Sequence, residues 1–158
     1  MYEVGDMVCY PMHGAGIIVD IEEKDILGKK EKYFIVKIPI GSMKVMIPVK
    51  NAEKRGIRSI IEKDKLKDVL EVLKQEPTEM SSNWNKRVRD NTAILKEGDI
   101  FEVAKVYRNL KSLDEQRNLS TGEKKILHDT KNILMSEMIL SSGKSYEEID
   151  KIIYEAVE

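Results

Sequence analysis

One cysteine in 158 residues leaves no partner for a disulfide, and two histidines are too few for a Cys/His zinc cage. No apolar run approaches the roughly 20 residues that span a bilayer. Residues 1–20 hold no basic region followed by an apolar stretch, so no secretory signal is expected. An excess of either charge is missing as well. The 27 Lys plus Arg against 28 Asp plus Glu leave a formal net charge of -1, so no global positive field draws the chain onto nucleic acid. What remains is 41% hydrophobic and 35% charged, the composition of a globular protein with a well-solvated surface. The length suits one ordinary domain or two small ones. The expected location is reducing, intracellular and cytoplasmic.

Two halves read differently. Gly5, Gly14, Gly16, Gly28 and Gly41 punctuate short β-type runs at Met7–Tyr10, Ile17–Ile26, Lys32–Pro39 and Met43–Val49. Leu27-Gly28 and Gly41-Ser42 are natural hairpin corners. Within Lys32–Pro39, Phe34, Val36 and Ile38 form one continuous apolar face. Four or five short strands joined by tight turns predict a small antiparallel barrel. About 50 residues give such a barrel a marginal core, so it should lean on its neighbour.

From about residue 60 the apolar period changes from two to 3.6. Leu66, Val69, Leu70 and Leu73 mark a short helix ended by Pro77. Ser81 or Ser82 can cap a second helix that runs to about Lys96 and is closed by Gly98. Asp99 with Glu102 opens a third, with Ile100, Val103, Ala104, Tyr107 and Leu110 on its inner face. Ser120 with Glu123 opens a longer fourth, with Leu127, Thr130, Leu134 and Met138 inward. Ser145 with Glu148 opens a fifth, carrying Ile149, Ile152, Ile153 and Ala156. The fold class is therefore α+β in two modules, a β-barrel followed by a compact bundle of about five helices. The expected division is 1–52 for the barrel, 53–63 for a linker and 64–158 for the bundle.

Catalysis finds no support. Cys9 and His13 lie four apart in a strand-then-turn segment, about 13 Å apart if extended, and read as a half-buried thiol and a turn histidine. Gly14-Ala15-Gly16 lacks the third glycine and the following helix of a dinucleotide fingerprint, and no Gly-Lys-Ser/Thr phosphate loop occurs. Glu147-Glu148 is explained by first-turn pairing with the helix dipole. No cofactor, metal or small-molecule substrate is implied.

The more informative residue is Trp84, the single tryptophan, followed by Lys86, Arg87 and Arg89 with no acid before Asp90. Cations contact backbone phosphates, and an apolar ring beside them can wedge between bases. Two readings stand open. Trp84, Val88, Asn91 and Leu95 share one helical phase, which places the ring in the core. Its position on the first turn, beside Ser81-Ser82-Asn83, places it at the rim with one edge presented. Lys124 and Lys125 oppose the dipole at the start of the fourth helix, which suits a nearby anion. In the first half, Lys44–Pro48 would be a last, edge strand, since Pro48 has no donor for a further ladder. Such an edge either guards itself with Pro and Lys or accepts a partner strand.

Taken together, Val4-Gly5-Asp6-Met7-Val8-Cys9-Tyr10-Pro11-Met12-His13-Gly14-Ala15-Gly16, Asn83-Trp84 with its cations, Gly98-Asp99 with Glu102-Val103-Ala104, and Leu119-Ser120-Thr121-Gly122-Glu123-Lys124 resemble the CarD family of bacterial transcription regulators. The resemblance spans the chain in order. It implies a Tudor-like, SH3-like barrel that binds the RNA polymerase β subunit, and a helical domain that meets promoter DNA. By the same resemblance, Lys24 and the strand Lys44, Val45, Met46, Ile47 and Pro48 meet the polymerase. By the resemblance Trp84 would wedge into the minor groove at the upstream edge of the transcription bubble and Lys86, Arg87 and Arg89 would hold the backbone, a surface that Lys124 and Lys125 extend on the dipole argument above. Relatives often carry an arginine where this chain has Met46, a side chain that can pack against an apolar partner. The function implied is stabilisation of the open promoter, with little sequence readout, by a cytoplasmic protein associated with the nucleoid through RNA polymerase. The alternative is a polymerase-bound adapter that uses Trp84 as a protein hot spot.

Overall fold

A computed structural model describes residues 2–158. Strand β1 (Met7–Tyr10) pairs with β2 (Gly14–Ile26), β2 with β3 (Lys29–Lys37), and β3 with β4 (Lys44–Pro48), all antiparallel. A two-residue strand, β5 (Arg58–Ser59), returns to pair with β1 and gives the sheet order β4-β3-β2-β1-β5. The sequence pattern did not indicate β5, because two residues carry no alternation to read. It falls inside the segment expected to be a linker, after a 3-10 turn at Glu53–Arg55.

The barrel follows from side-chain alternation and turn chemistry. Phe34, Val36 and Ile47 point inward with Val8, Ile18, Ala52 and Ile57 to form a small core. Leu27 and Gly28, the two-residue turn between Ile26 and Lys29, both have positive φ, the backbone that twists a hairpin correctly, and Gly41 and Ser42 take positive φ in the longer loop closed by Ile38 and Met43. Beyond the core the β2–β3 hairpin continues as a ribbon. Opposite charges face each other at Glu23–Lys32, Lys24–Glu31 and Asp25–Lys30, an arrangement that favours this register. Strand β2 starts at Gly14, earlier than the sequence pattern suggested. Glycine is required there by close packing. A Cβ on Gly16 would stand 2.5 Å from Val36 Cγ1, and one on Gly14 would stand 2.7 Å from Ser136 Oγ.

Five helices follow: α1 (Leu66–Lys74), α2 (Trp84–Glu97), α3 (Ile100–Gln116), α4 (Thr121–Ser142) and α5 (Tyr146–Val157). The expected caps of α3, α4 and α5 form, with Asp99, Ser120 and Ser145 accepting first-turn N–H groups. Helix α2 is capped by Asn83 instead of Ser81 or Ser82, its side chain accepting from Asn85 N and Lys86 N. A second, larger core joins Val69 and Leu73 of α1, Leu95 of α2, Ile100, Val103, Ala104, Val106, Tyr107 and Leu110 of α3, Leu134 and Met138 of α4, and Ile149 and Ile153 of α5.

Helix α4 departs from the simple inward stripe expected of it. Ile133 to Met138 are all buried, while Leu127 is only half-buried. One face of α4 packs on helices and another packs on the barrel. There Ser136 Oγ accepts from Ala15 N at 2.9 Å. Glu137, 0% exposed, takes a bidentate pair from Arg58 of β5 at 2.7 and 2.8 Å, and accepts from Ile61 N at 2.8 Å. Arg58 also donates to the Gly98 carbonyl between α2 and α3. Burial works most strongly against the charge on Arg58, but the hydrogen bond to Glu137 and the charges of Cys9, Glu137 and Asp99 together outweigh it, holding the guanidinium above its ordinary value. The barrel therefore leans on the bundle through an ion pair whose carboxylate is fully buried and whose guanidinium is half-buried.

Candidate nucleic-acid interface

Trp84 is 53% exposed. The core alternative for this residue is thus corrected: the inner face of α2 is Arg87, Asn91 and Leu95, with Trp84 at the rim. The physical cause is the cap. Asn83 caps α2, so Trp84 is its first residue and sits at the end of the helix, one turn ahead of the buried Arg87, Asn91 and Leu95.

Arg87 is the second correction. It is 6% exposed, and its Nε and Nη2 donate to the two oxygens of Glu123 at 2.9 Å each. Its Nη1 donates to the carbonyls of Ser81 and Ser82 at 3.0 and 3.1 Å. A guanidinium committed in this way has no face for a DNA phosphate, and its expected role as a backbone contact is withdrawn. The hydrogen bond from Arg87 is the main cause that holds the Glu123 carboxyl below its ordinary value, with the Ser120 hydroxyl adding to it. Spacing alone could not reveal this pair, since 36 residues separate its members.

The remaining basic residues are on the surface. Lys86 pairs with Asp90 at 2.9 Å and Lys125 with Asp129 at 3.0 Å, both exposed i,i+4 contacts worth little in water and exchangeable for a phosphate. Arg89 and Lys124 are exposed and, among the described residues, take part in no ion pair. The structure brings α2 and α4 together at their N-terminal ends, so Trp84 and the basic turn of α4 border one surface. A shallow cavity of about 250 Å³ lies between them, lined by Trp84, Arg117, Asn118 and Ser120 among others. Arg117, exposed at the end of α3, is a cation that the sequence reading missed. It stands far along the chain from Trp84, and only the packing of α2 against α3 and α4 makes them neighbours.

The residues expected to meet the polymerase lie in the barrel. Strand β4 pairs on one side only, with β3, and so is an edge as expected. Lys44 and Met46 are exposed, Val45 and Pro48 half-buried, and Ile47 is fully buried in the barrel core. Ile47 therefore supports the strand from inside and presents only its backbone. Lys24 lies on the hairpin ribbon, 3.1 Å from Glu22. Cys9 is fully buried instead of half-buried, and burial, with the charge of Glu137 adding to it, pushes its thiol up to about 12. His13 is exposed and stacks on Tyr10 at 4.7 Å. Among the described residues no cluster of His, Cys, Asp or Glu could hold a metal ion. No described helix is long and apolar enough to cross a membrane.

An α+β protein with an open-edged barrel braced against helices that present a lone tryptophan among cations belongs with binding modules. Residues 2–61 match the CarD-like/TRCF RID domain, and residues 68–154 match the CarD C-terminal domain. A protein of Bacillus subtilis (strain 168) named "Putative transcription factor YdeB" is 34% identical over 149 residues, covering 94% of this chain and 97% of its own length. The chain belongs to the CarD family and is a transcription regulator of the kind that acts with RNA polymerase. The families matched are of the transcription-factor type.

Proposed function

We propose that the protein binds the β subunit of RNA polymerase through the edge of β4, the exposed Lys44 and Met46 and the half-buried Lys24, and stabilises the open promoter through Trp84. The observation that carries this reading is Trp84 itself, a large apolar ring left 53% exposed at the first position of a capped helix. Its surroundings suit a duplex. Lys86, Arg89, Lys124 and Lys125 supply cations, and the first turn of α2 contains no acidic residue to repel a phosphate. A ring of this kind can wedge between base steps in the minor groove and hinder their restacking.

The energetics follow from tethering. With a net charge of -1 and a handful of free cations, the isolated protein should bind DNA weakly and with strong salt dependence. On the polymerase the second encounter is intramolecular, at an effective concentration on the order of millimolar. A preference for the open over the closed state of about 1.4 kcal/mol then changes that equilibrium tenfold. In this reading the protein works in the cytoplasm, at the nucleoid, wherever polymerase sits on promoters.

The test is the lifetime of open complexes formed by the matching polymerase on one promoter, with no factor, wild type, or Trp84→Ala. A longer lifetime with wild type that is largely lost in the variant, while polymerase binding persists, is the expected result. Equal effects from both proteins would remove Trp84 from the mechanism. No effect from either, with polymerase bound, would favour an adapter role.

A further inference from the structure

Trp84 makes no side-chain hydrogen bond among the described residues, yet the backbone just before it is held by the guanidinium of a residue one turn after it. Nη1 of Arg87 grips the carbonyls of Ser81 and Ser82, just before the cap residue Asn83. Three residues after Trp84, the same side chain is anchored in a two-pronged pair to Glu123. Glu123 is in turn fixed by Ser120, whose Oγ donates to Oε1 at 3.1 Å and accepts from Glu123 N at 3.3 Å. The pair is fully desolvated, with Arg87 6% and Glu123 1% exposed. Burying two charges is a poor way to gain stability, because apolar residues of similar volume do as well or better. What the planar pair supplies is direction, since two parallel N–H···O bonds fix the angle between the groups they join.

We infer that Arg87 and Glu123 are a positioning pair for Trp84. Together they lock the first turn of α2 to the first turn of α4, so that the ring is held in its presented orientation before DNA arrives. Pre-organisation of this kind removes an ordering cost from each wedge insertion. The inference deepens the reading of Trp84 given above and rests on it for its consequence at a promoter. The ring geometry itself can be tested in the free protein.

Trp84 is the only tryptophan, so intrinsic fluorescence reports this ring alone. Time-resolved anisotropy and acrylamide quenching would be measured on the full chain for wild type, Glu123→Gln, Arg87→Lys and the milder Ser120→Ala. Open-complex lifetime with polymerase and cooperative thermal unfolding would be followed in parallel. If Glu123→Gln or Arg87→Lys fails to fold, Ser120→Ala carries the test. The expected result is a folded variant whose ring gains fast local motion, whose quenching rises at least twofold, and whose lifetime effect falls at least threefold while polymerase binding is kept. An unchanged ring in every folded variant would overturn the inference, whatever the lifetime does. A mobile ring with an undiminished lifetime would overturn it too. If freeing Arg87 in Glu123→Gln lengthened the lifetime and steepened its salt dependence, the arginine would be a phosphate contact and not a positioning group. If wild type itself does not lengthen the lifetime, the reading of Trp84 as a wedge fails, and the fluorescence still decides whether the pair orders the ring.

Discussion

Residue by residue, the surface and the interior of the α2–α4 contact should respond in opposite ways to truncation. Trp84→Ala removes a half-exposed ring that contributes little packing, so its cost in urea unfolding should stay below about 1 kcal/mol. Arg87→Ala leaves Glu123 charged and buried without its cation, and should cost about 3–5 kcal/mol in the same assay. Acid adds a second check. The folded-state value of Glu123 lies below its ordinary 4.5, so the pair contributes stability above that pH and loses it as the pH falls from 4.5 through the folded value. Unfolding free energy should therefore drop on acidification below about pH 4.5. The double variant Arg87→Met/Glu123→Leu should show a shallower drop. An acid limb of equal steepness in both proteins would assign the proton uptake to other carboxylates.

Among the elements, the α2–α3 corner is the most tightly specified. Gly98 ends α2 with φ of 79°, a left-handed conformation that suits glycine, and its Cα faces Pro11 so closely that an added Cβ would stand 2.9 Å from Pro11 Cγ. Gly98→Ala combines about 1 kcal/mol of backbone strain with about 1–3 kcal/mol of overpacking. Gly143 also ends a helix in the left-handed region, with φ of 75°, but nothing lies within 4 Å of its Cβ position. Gly143→Ala should show the backbone part alone. Chemical denaturation of the two variants side by side separates the terms, and equal losses would mean that Pro11 yields freely. The caps of α3, α4 and α5 were legible in the sequence because each rests on residues at most three apart. The cap of α2 was not, since Ser81, Ser82 and Asn83 are all good caps and tertiary contacts choose among them. Strand β5 was illegible for a related reason: its pairing with β1 is long-range and its length is two residues.

For the whole molecule, the question is whether the two modules unfold together. Their contact is polar at its centre, with Arg58 of β5 joining Glu137 of α4 and the Gly98 carbonyl, and Ser136 meeting Ala15. Arg58→Ala leaves Glu137 buried and unpaired, and should cost about 3–5 kcal/mol. It should also separate barrel and bundle unfolding into two transitions, visible as non-coincident far-UV and Trp84 fluorescence curves. Cys9 lies at this contact, its thiol held far above neutrality, so it should resist thiol reagents at pH 8 until the modules part. In Arg58→Ala its labelling should follow the earlier transition. Labelling that tracks the later one would mean that the barrel stays closed over Cys9 after the modules separate.

The amino-acid sequence by itself determined the order of the first four strands and the five helices, the α+β class, and the neighbourhood in which function was to be sought. Those features rest on local chemistry: alternation, turn residues, caps and composition. Only the tertiary structure decided which members of that neighbourhood face outward. Helical phase places Trp84 and Arg87 near the same edge of α2, and phase cannot say which of them the neighbouring helix covers. Glu123, 36 residues away, settled it by drawing the arginine inside. Glu137 did the same for Arg58, turning a segment expected to be a linker into the strand that braces the barrel. In both cases a buried carboxylate on α4 selects a distant guanidinium, since leaving either charge unpaired away from water would cost more than any local preference supplies.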